Sequence, residues 1–113
     1  IPLAKLKPNQ KVKGRTVAEL GNRNRPLDMF GYEKGGEGFI LMANSSRGVM
    51  KVSTKDIGTI DAITQRVAGV SGLSFETIES WKGVVQLAKI DDKHAAIIRK
   101  SDAGQSLEQV VLP

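Results

Sequence analysis

The chain has 113 residues, a formal net charge of +5 and a sequence pI of about 9.7, with no cysteine. That length holds at most one domain with a modest core. The lack of cysteine excludes disulfides, thiolate chemistry and cysteine metal sites, and no apolar run approaches the ~20 residues of a membrane span. Aromatic residues make up only 4%, so the core must rest on Val, Ile, Leu, Met and Ala. Composition fixes no compartment, although a periplasmic or extracellular setting is slightly favoured over the cytoplasm. Ile1, in place of an initiator methionine, fits a chain processed or cut from a longer polypeptide.

Residues 1–25 form a basic N-terminal arm. Lys5, Lys7, Lys11, Lys13, Arg15, Arg23 and Arg25 face Glu19 alone, whereas the remainder of the chain is nearly neutral. Such asymmetry suits either an anionic contact or a solvated segment. "KVKGRTVAEL" fits a strand, and "TVAEL" before Gly21 fits a short helical turn equally well. "GNRNRP" ends either element, because Pro26 drives Arg25 toward an extended conformation.

Strand signals sharpen from Pro26 onward. "LDMFGYE" alternates Leu27, Met29 and Gly31 with Asp28, Phe30 and Tyr32. "KGGEG" suits a hairpin tip. "GFILMANS" is almost wholly apolar, as in a strand covered on both faces. "SSRG" is the next turn and "VMKVST" a further alternating strand. Residues 55–83 are irregular: "TIDAITQRVAG" divides between a short helix and a strand, and "GLSFETIESWKG" reads as a strand or an irregular approach to one. "VVQLAKID", "HAAIIRK" and "LEQVVLP" then predict three more strands, with turns at Asp91–Lys93 and "SDAGQS".

Two units therefore stand out in a β-rich domain over 26–113, at 26–54 and 84–113. "FILM" aligns with "AAII" at an offset of about 56 residues. Each unit, with its most apolar strand in the middle, resembles a blade of a β-propeller, and the run leading into "MANSS" is similar to bacterial propeller repeats. The resemblance covers roughly 24–54 and 83–113. It implies a mainly β fold of antiparallel three- to four-stranded meanders. Since a propeller closes with about four blades of roughly 40 residues each, it also implies one portion of a larger or self-associated ring. A small β-sandwich or partly open barrel, and an α+β fold with a helix at 60–68, are the alternatives. In the blade reading both ribbons leave flanks that another segment, a subunit or a second copy must cover.

No catalytic constellation is visible. "EKGGEG" lies between strands rather than before a helix, so it does not suit a phosphate cradle. Asp91, Asp92 and His94 suit a polar turn better than a metal site, and the serines lack a nearby base. "NSS" at 44–46 matches a glycosylation tripeptide that arises often by chance. Asp28 is a charge inside a strand, which demands a reason. The blade resemblance would place Arg23, Asn24, Arg25 and Asp28 at a channel mouth, with Asn44 and Arg47 elsewhere on the rim, able to hold a polar or anionic ligand. Lys5, Lys7, Lys11, Lys13 and Arg15 would serve a polyanion through phosphate contacts alone, since the arm has no aromatic for stacking. The expected function is a non-catalytic interaction or scaffold segment without cofactor or metal. The alternatives are polyanion or nucleic-acid binding and, more weakly, part of a propeller enzyme completed by another segment.

Overall fold

The structure, a computed structural model, describes residues 3–113; Ile1 and Pro2, the start of the basic arm, lie outside the described residues. The fold is mainly β, built from antiparallel sheets that do not close into a barrel. In chain order the strands are β1 (Ala18–Leu20), β2 (Pro26–Lys34), β3 (Glu37–Asn44), β4 (Gly48–Ser53), β5 (Val70–Gly72), β6 (Phe75–Thr77), β7 (Val84–Lys89), β8 (His94–Ser101) and β9 (Gly104–Val111). The first sheet has the order β2-β3-β4-β6, the second β7-β8-β9, and β1 pairs with β5 in a short separate ribbon.

Local chemistry sets the hairpins. Lys34 pairs with Glu37 across Gly35 and Gly36, whose φ values of 61° and 79° suit the two-residue turn that matches strand twist. Within the first sheet the register puts Asp28, Phe30, Tyr32, Leu41, Ala43 and Val49 on one face. That face meets Leu87, Ala95 and Ile97 of the second sheet to form one core, joined by Trp81, Val84 and Leu112. Leu41 and Ile97, one from each central strand, are fully buried. Each such side chain contributes roughly 1.5–3 kcal/mol over its exposed state.

The two sheets thus cap each other on one face, so part of the flank expected to need an outside partner is covered within the chain itself. The opposite face of the first sheet is also partly closed, since Met50 and Val52 are buried. The outer face of the second sheet is not: Leu107 and Val111 remain largely exposed.

Residues 54–69 form neither the helix nor the strand suggested by the sequence. β-branched Ile60, Ile63, Thr64 and Val67 disfavour a helix, and the segment is held instead by single hydrogen bonds. Ile63 N donates to Thr16 O at 2.9 Å, and the Arg15 guanidinium donates to Ile57 O and Ile60 O. Ala18–Leu20 is a strand rather than a helical turn because Val70–Gly72 supplies an antiparallel partner. No helix among the described residues is long and apolar enough to cross a membrane.

A 3₁₀ turn at Glu79–Trp81 carries the chain from the first sheet to the second and places Trp81 in the core. Gly83 closes this crossing. Its φ is +81°, and a Cβ there would lie 2.7 Å from Lys100 O, while its own carbonyl accepts from Lys100 N at 2.8 Å. Gly83→Ala should therefore lower the unfolding free energy by roughly 1–3 kcal/mol, read as a fall in the urea midpoint with an unchanged slope.

The chain's end is clasped by the first sheet. Tyr32 Oη donates to Pro113 O at 2.7 Å and Lys34 Nζ to Leu112 O at 3.0 Å. Burial, assisted by the Glu76 charge, pushes the Tyr32 hydroxyl up from 10.0 to about 12. A raised folded-state value means stability that is complete below pH 10 and is lost as pH climbs toward 12. Tyr32→Phe should flatten the stability curve in that alkaline window and cost about 0.5–1.5 kcal/mol at neutral pH through the lost hydrogen bond.

Candidate functional site

A cleft of about 470 Å³ opens where the ends of the two sheets meet. Its walls come from the β3–β4 turn (Asn44, Ser46, Arg47), the 77–79 segment, and the crossing at Lys82–Val85, with Lys100 at the end of β8. Arg47, Lys82 and Lys100 face a single acidic residue, Glu79, among the lining side chains. The cleft is therefore electropositive at its rim and apolar at Leu27, Ile78 and Val84. This suits a ligand with both an anionic group and an apolar portion.

The Arg47 guanidinium crosses Gly21: a Cβ on Gly21 would sit 2.6 Å from Arg47 Cζ and Nε. The bare backbone at Gly21 thus makes room for the cation, a relationship between positions 26 residues apart in sequence that no local pattern announces. Lys82 and Lys100 were likewise not singled out by the sequence. Only the fold brings the crossing and the end of β8 together.

Of the sequence-derived candidates, Asn44 and Arg47 line this cleft. Asn44 is only 5% exposed, and its amide donates to Met42 O and Gly48 O, so it shapes the turn. Arg23, Asn24 and Arg25 lie behind the same turn. Ser46 Oγ donates to Arg23 O at 2.8 Å, Ser46 N donates to Asn24 Oδ1 at 3.4 Å, and Arg25 N donates to Ser45 Oγ at 3.0 Å. These contacts brace the loop through the backbones of Arg23 and Arg25 and the Asn24 side chain, and none of the three residues joins the cleft lining.

Asp28 sits elsewhere. It is on the core-facing side of β2, where Oδ1 accepts from Met29 N at 2.8 Å and Oδ2 from Leu87 N at 2.9 Å. The reason for a charge inside this strand is thus a backbone bridge between the first strands of the two sheets, rather than a neighbouring arginine. Both strands carry a register shift after their first residue, between Pro26 and Asp28 in β2 and between Val84 and Gln86 in β7.

Lys5, Lys7, Lys11 and Lys13 are exposed, and none takes part in the four ion pairs among the described residues. Arg15 is spent on Ile57 O and Ile60 O. At the far turn, Asp91 accepts from His94 Nδ1 at 2.9 Å and from the backbone N–H groups of Lys93 and His94. The His94 contact, then the Lys93 amide, holds the Asp91 carboxyl below its usual range. Asp92 pairs with Lys89 at 2.7 Å. The two carboxylates thus point their bonds at different partners, and no cluster of three or more metal-ligating side chains occurs among the described residues.

Arg99 fixes the cleft's rear. It donates to Ser80 O and Lys82 O and, through Nε and Nη2, to Glu108. The Arg99 guanidinium and the Ser106 hydroxyl hold Glu108 below the usual carboxylate range.

Comparison with protein-family models, curated proteins and solved structures gives no significant match. Inference about function therefore begins from this chain's own side chains. Asp28→Ala should lower the unfolding free energy by about 1–3 kcal/mol, because it leaves the Leu87 N–H without its acceptor. It should leave ligand occupancy of the cleft unchanged, and equal binding isotherms for the variant and parent would verify this.

Proposed function

We propose that this chain is a non-catalytic β-rich interaction or scaffold segment, part of a propeller-like assembly, which binds a polar, negatively charged ligand or protein segment at its loop end. The observation that carries this reading is the pairing of two antiparallel meanders face to face, with a basic cleft at one shared end. Three further features support it. The first strands of the two units are bridged by Asp28, both carry a register shift at the same place, and the central strands supply equivalent fully buried residues. The binding end is assembled from turns, which a rigid β scaffold can vary without disturbing its core.

A second reading is favoured by a separate observation. Four exposed lysines fall within nine residues of the arm, a spacing that suits a polyanion backbone. The two readings differ in salt response. Four arm cations acting together on a polyanion would make log affinity fall by about 3 per decade of salt, whereas a small anion such as citrate in the cleft, with no condensed counterions to release, would respond through screening alone and far less steeply.

Amide chemical shifts followed during titration with citrate, and separately with heparin, provide the test. Citrate should perturb residues 44–48, 82–85 and Lys100, and Arg47→Ala should weaken that response about tenfold or more. Perturbation confined to residues 5–15, with the steep salt slope, would replace the cleft reading with the polyanion one.

A further inference from the structure

Among the described residues, one long sheet edge carries little of the common protection against further pairing. The β1–β5 ribbon and β6 are three residues long. The edges of β2 and β7 are irregular and face one another through the Asp28–Leu87 bridge. β9, by contrast, runs eight residues in unbroken register with β8 and contains no lysine, proline or bulge. Its one device is the inward-facing Glu108, and Arg99 neutralises that charge at 3.0 Å.

The first sheet shows what is absent beside β9. Leu41 opposite Lys51 and Ile97 opposite Glu108 are the equivalent buried positions of the two central strands. One step on, Met42 opposite Met50 corresponds to Ile98 opposite Leu107. Met50 has Thr77 of β6 beside it and is 1% exposed; Leu107 has no fourth strand and is 76% exposed. The free backbone groups can also be assigned. Leu112 N donates inward to Lys93 O, so by strand alternation the N–H and C=O of Gln105, Leu107, Gln109 and Val111 point away from β8.

We infer that a second copy of this chain fills this edge, its β9 pairing antiparallel to the first about a twofold axis at Gln109. The inference goes beyond the proposed function, since an edge-to-edge pair joins two copies by their outer strands and adds no blade to the two described. Charge and pattern select this occupant. In this register Leu107 meets the partner's Val111 and Val111 meets the partner's Leu107, covering the two most exposed apolar residues of the sheet. Glu108, the only charge on β9, faces the partner's Val110 and is already held by Arg99 at 3.0 Å, so no like charges meet. A twofold axis at Leu107 would instead leave Val111 beyond the partner's strand, opposite its 102–103 turn. Pairing about Gln109 makes one six-stranded sheet and a closed, isologous dimer.

The absence of cysteine permits a direct test on the full chain. A residue opposite its own copy in a hydrogen-bonded pair has Cα atoms about 5.5 Å apart, within disulfide reach. Gln109→Cys should give a covalent dimer under mild oxidation, and Gln105→Cys, displaced along the strand, should not. Sedimentation equilibrium should show a reversible dimer for the parent, and Leu107→Lys should weaken it about tenfold or more, with an unchanged circular dichroism spectrum. A parent that stays monomeric, cross-linking as efficient at 105 as at 109, or a dimer indifferent to Leu107→Lys would each overturn the inference. Citrate binding at the cleft is read separately: its loss with the dimer intact counts against the ligand reading alone, and its persistence in a monomeric parent counts against the dimer alone.

Discussion

Neither meander can bury its apolar face by itself, and everything else in this molecule follows from how the two solve that problem together. A single antiparallel sheet of three or four short strands needs a second layer to exclude water. Here Leu41, Ala43 and Val49 on one side meet Leu87, Ala95 and Ile97 on the other. Trp81, delivered by the crossing between the sheets, joins the same core and is the largest of its side chains. With aromatics so few, one well-placed tryptophan and the Tyr32–Phe39 pair, 5.6 Å between centroids, supply much of the aromatic volume.

That stacking dictates where chemistry can lie. It brings the β3–β4 turn, the crossing and the end of β8 to one end of the molecule, and with them Arg47, Lys82 and Lys100. The same stacking consumes Asp28, whose carboxylate spans the seam instead of meeting solvent. Arg99 ties the crossing to β9 by donating to both Lys82 O and Glu108. The cleft is thus framed by elements anchored in the core, while its cations stay at the rim, where holding charge costs little.

The sequence was most informative where partners are close in the chain. The hairpins at 34–37 and 101–104 and the apolar central strands β3 and β8 follow from glycines, alternation and apolar runs, and the second turn is simply tighter than "SDAGQS" suggested. It leaves alternatives open where pairing is long-range. β6, within "GLSFETIESWKG", returns to β4 after residues 54–74, which hold only the short β5, and β1, readable as a strand or a helical turn, is settled by β5 beside it. The alternation of β2 leaves its buried side undecided: Phe30 and Tyr32 face the core, whereas Leu27 and Met29 are exposed. At the site, Asn44 and Arg47 were legible as turn residues. The cradle that Gly21 gives Arg47, and the roles of Lys82 and Lys100, depend on contacts that no local window contains.

The central claim is that the two sheets are one cooperative unit rather than two ribbons in loose contact. Native-state hydrogen exchange at the amides of β3 and β8 addresses it most directly. If the seam is the source of stability, Leu41, Ala43 and Ile97 should exchange only through global unfolding, with one shared free energy and one shared denaturant slope. Exchange of β8 amides through a separate, lower-energy opening while β3 stays protected would contradict that account.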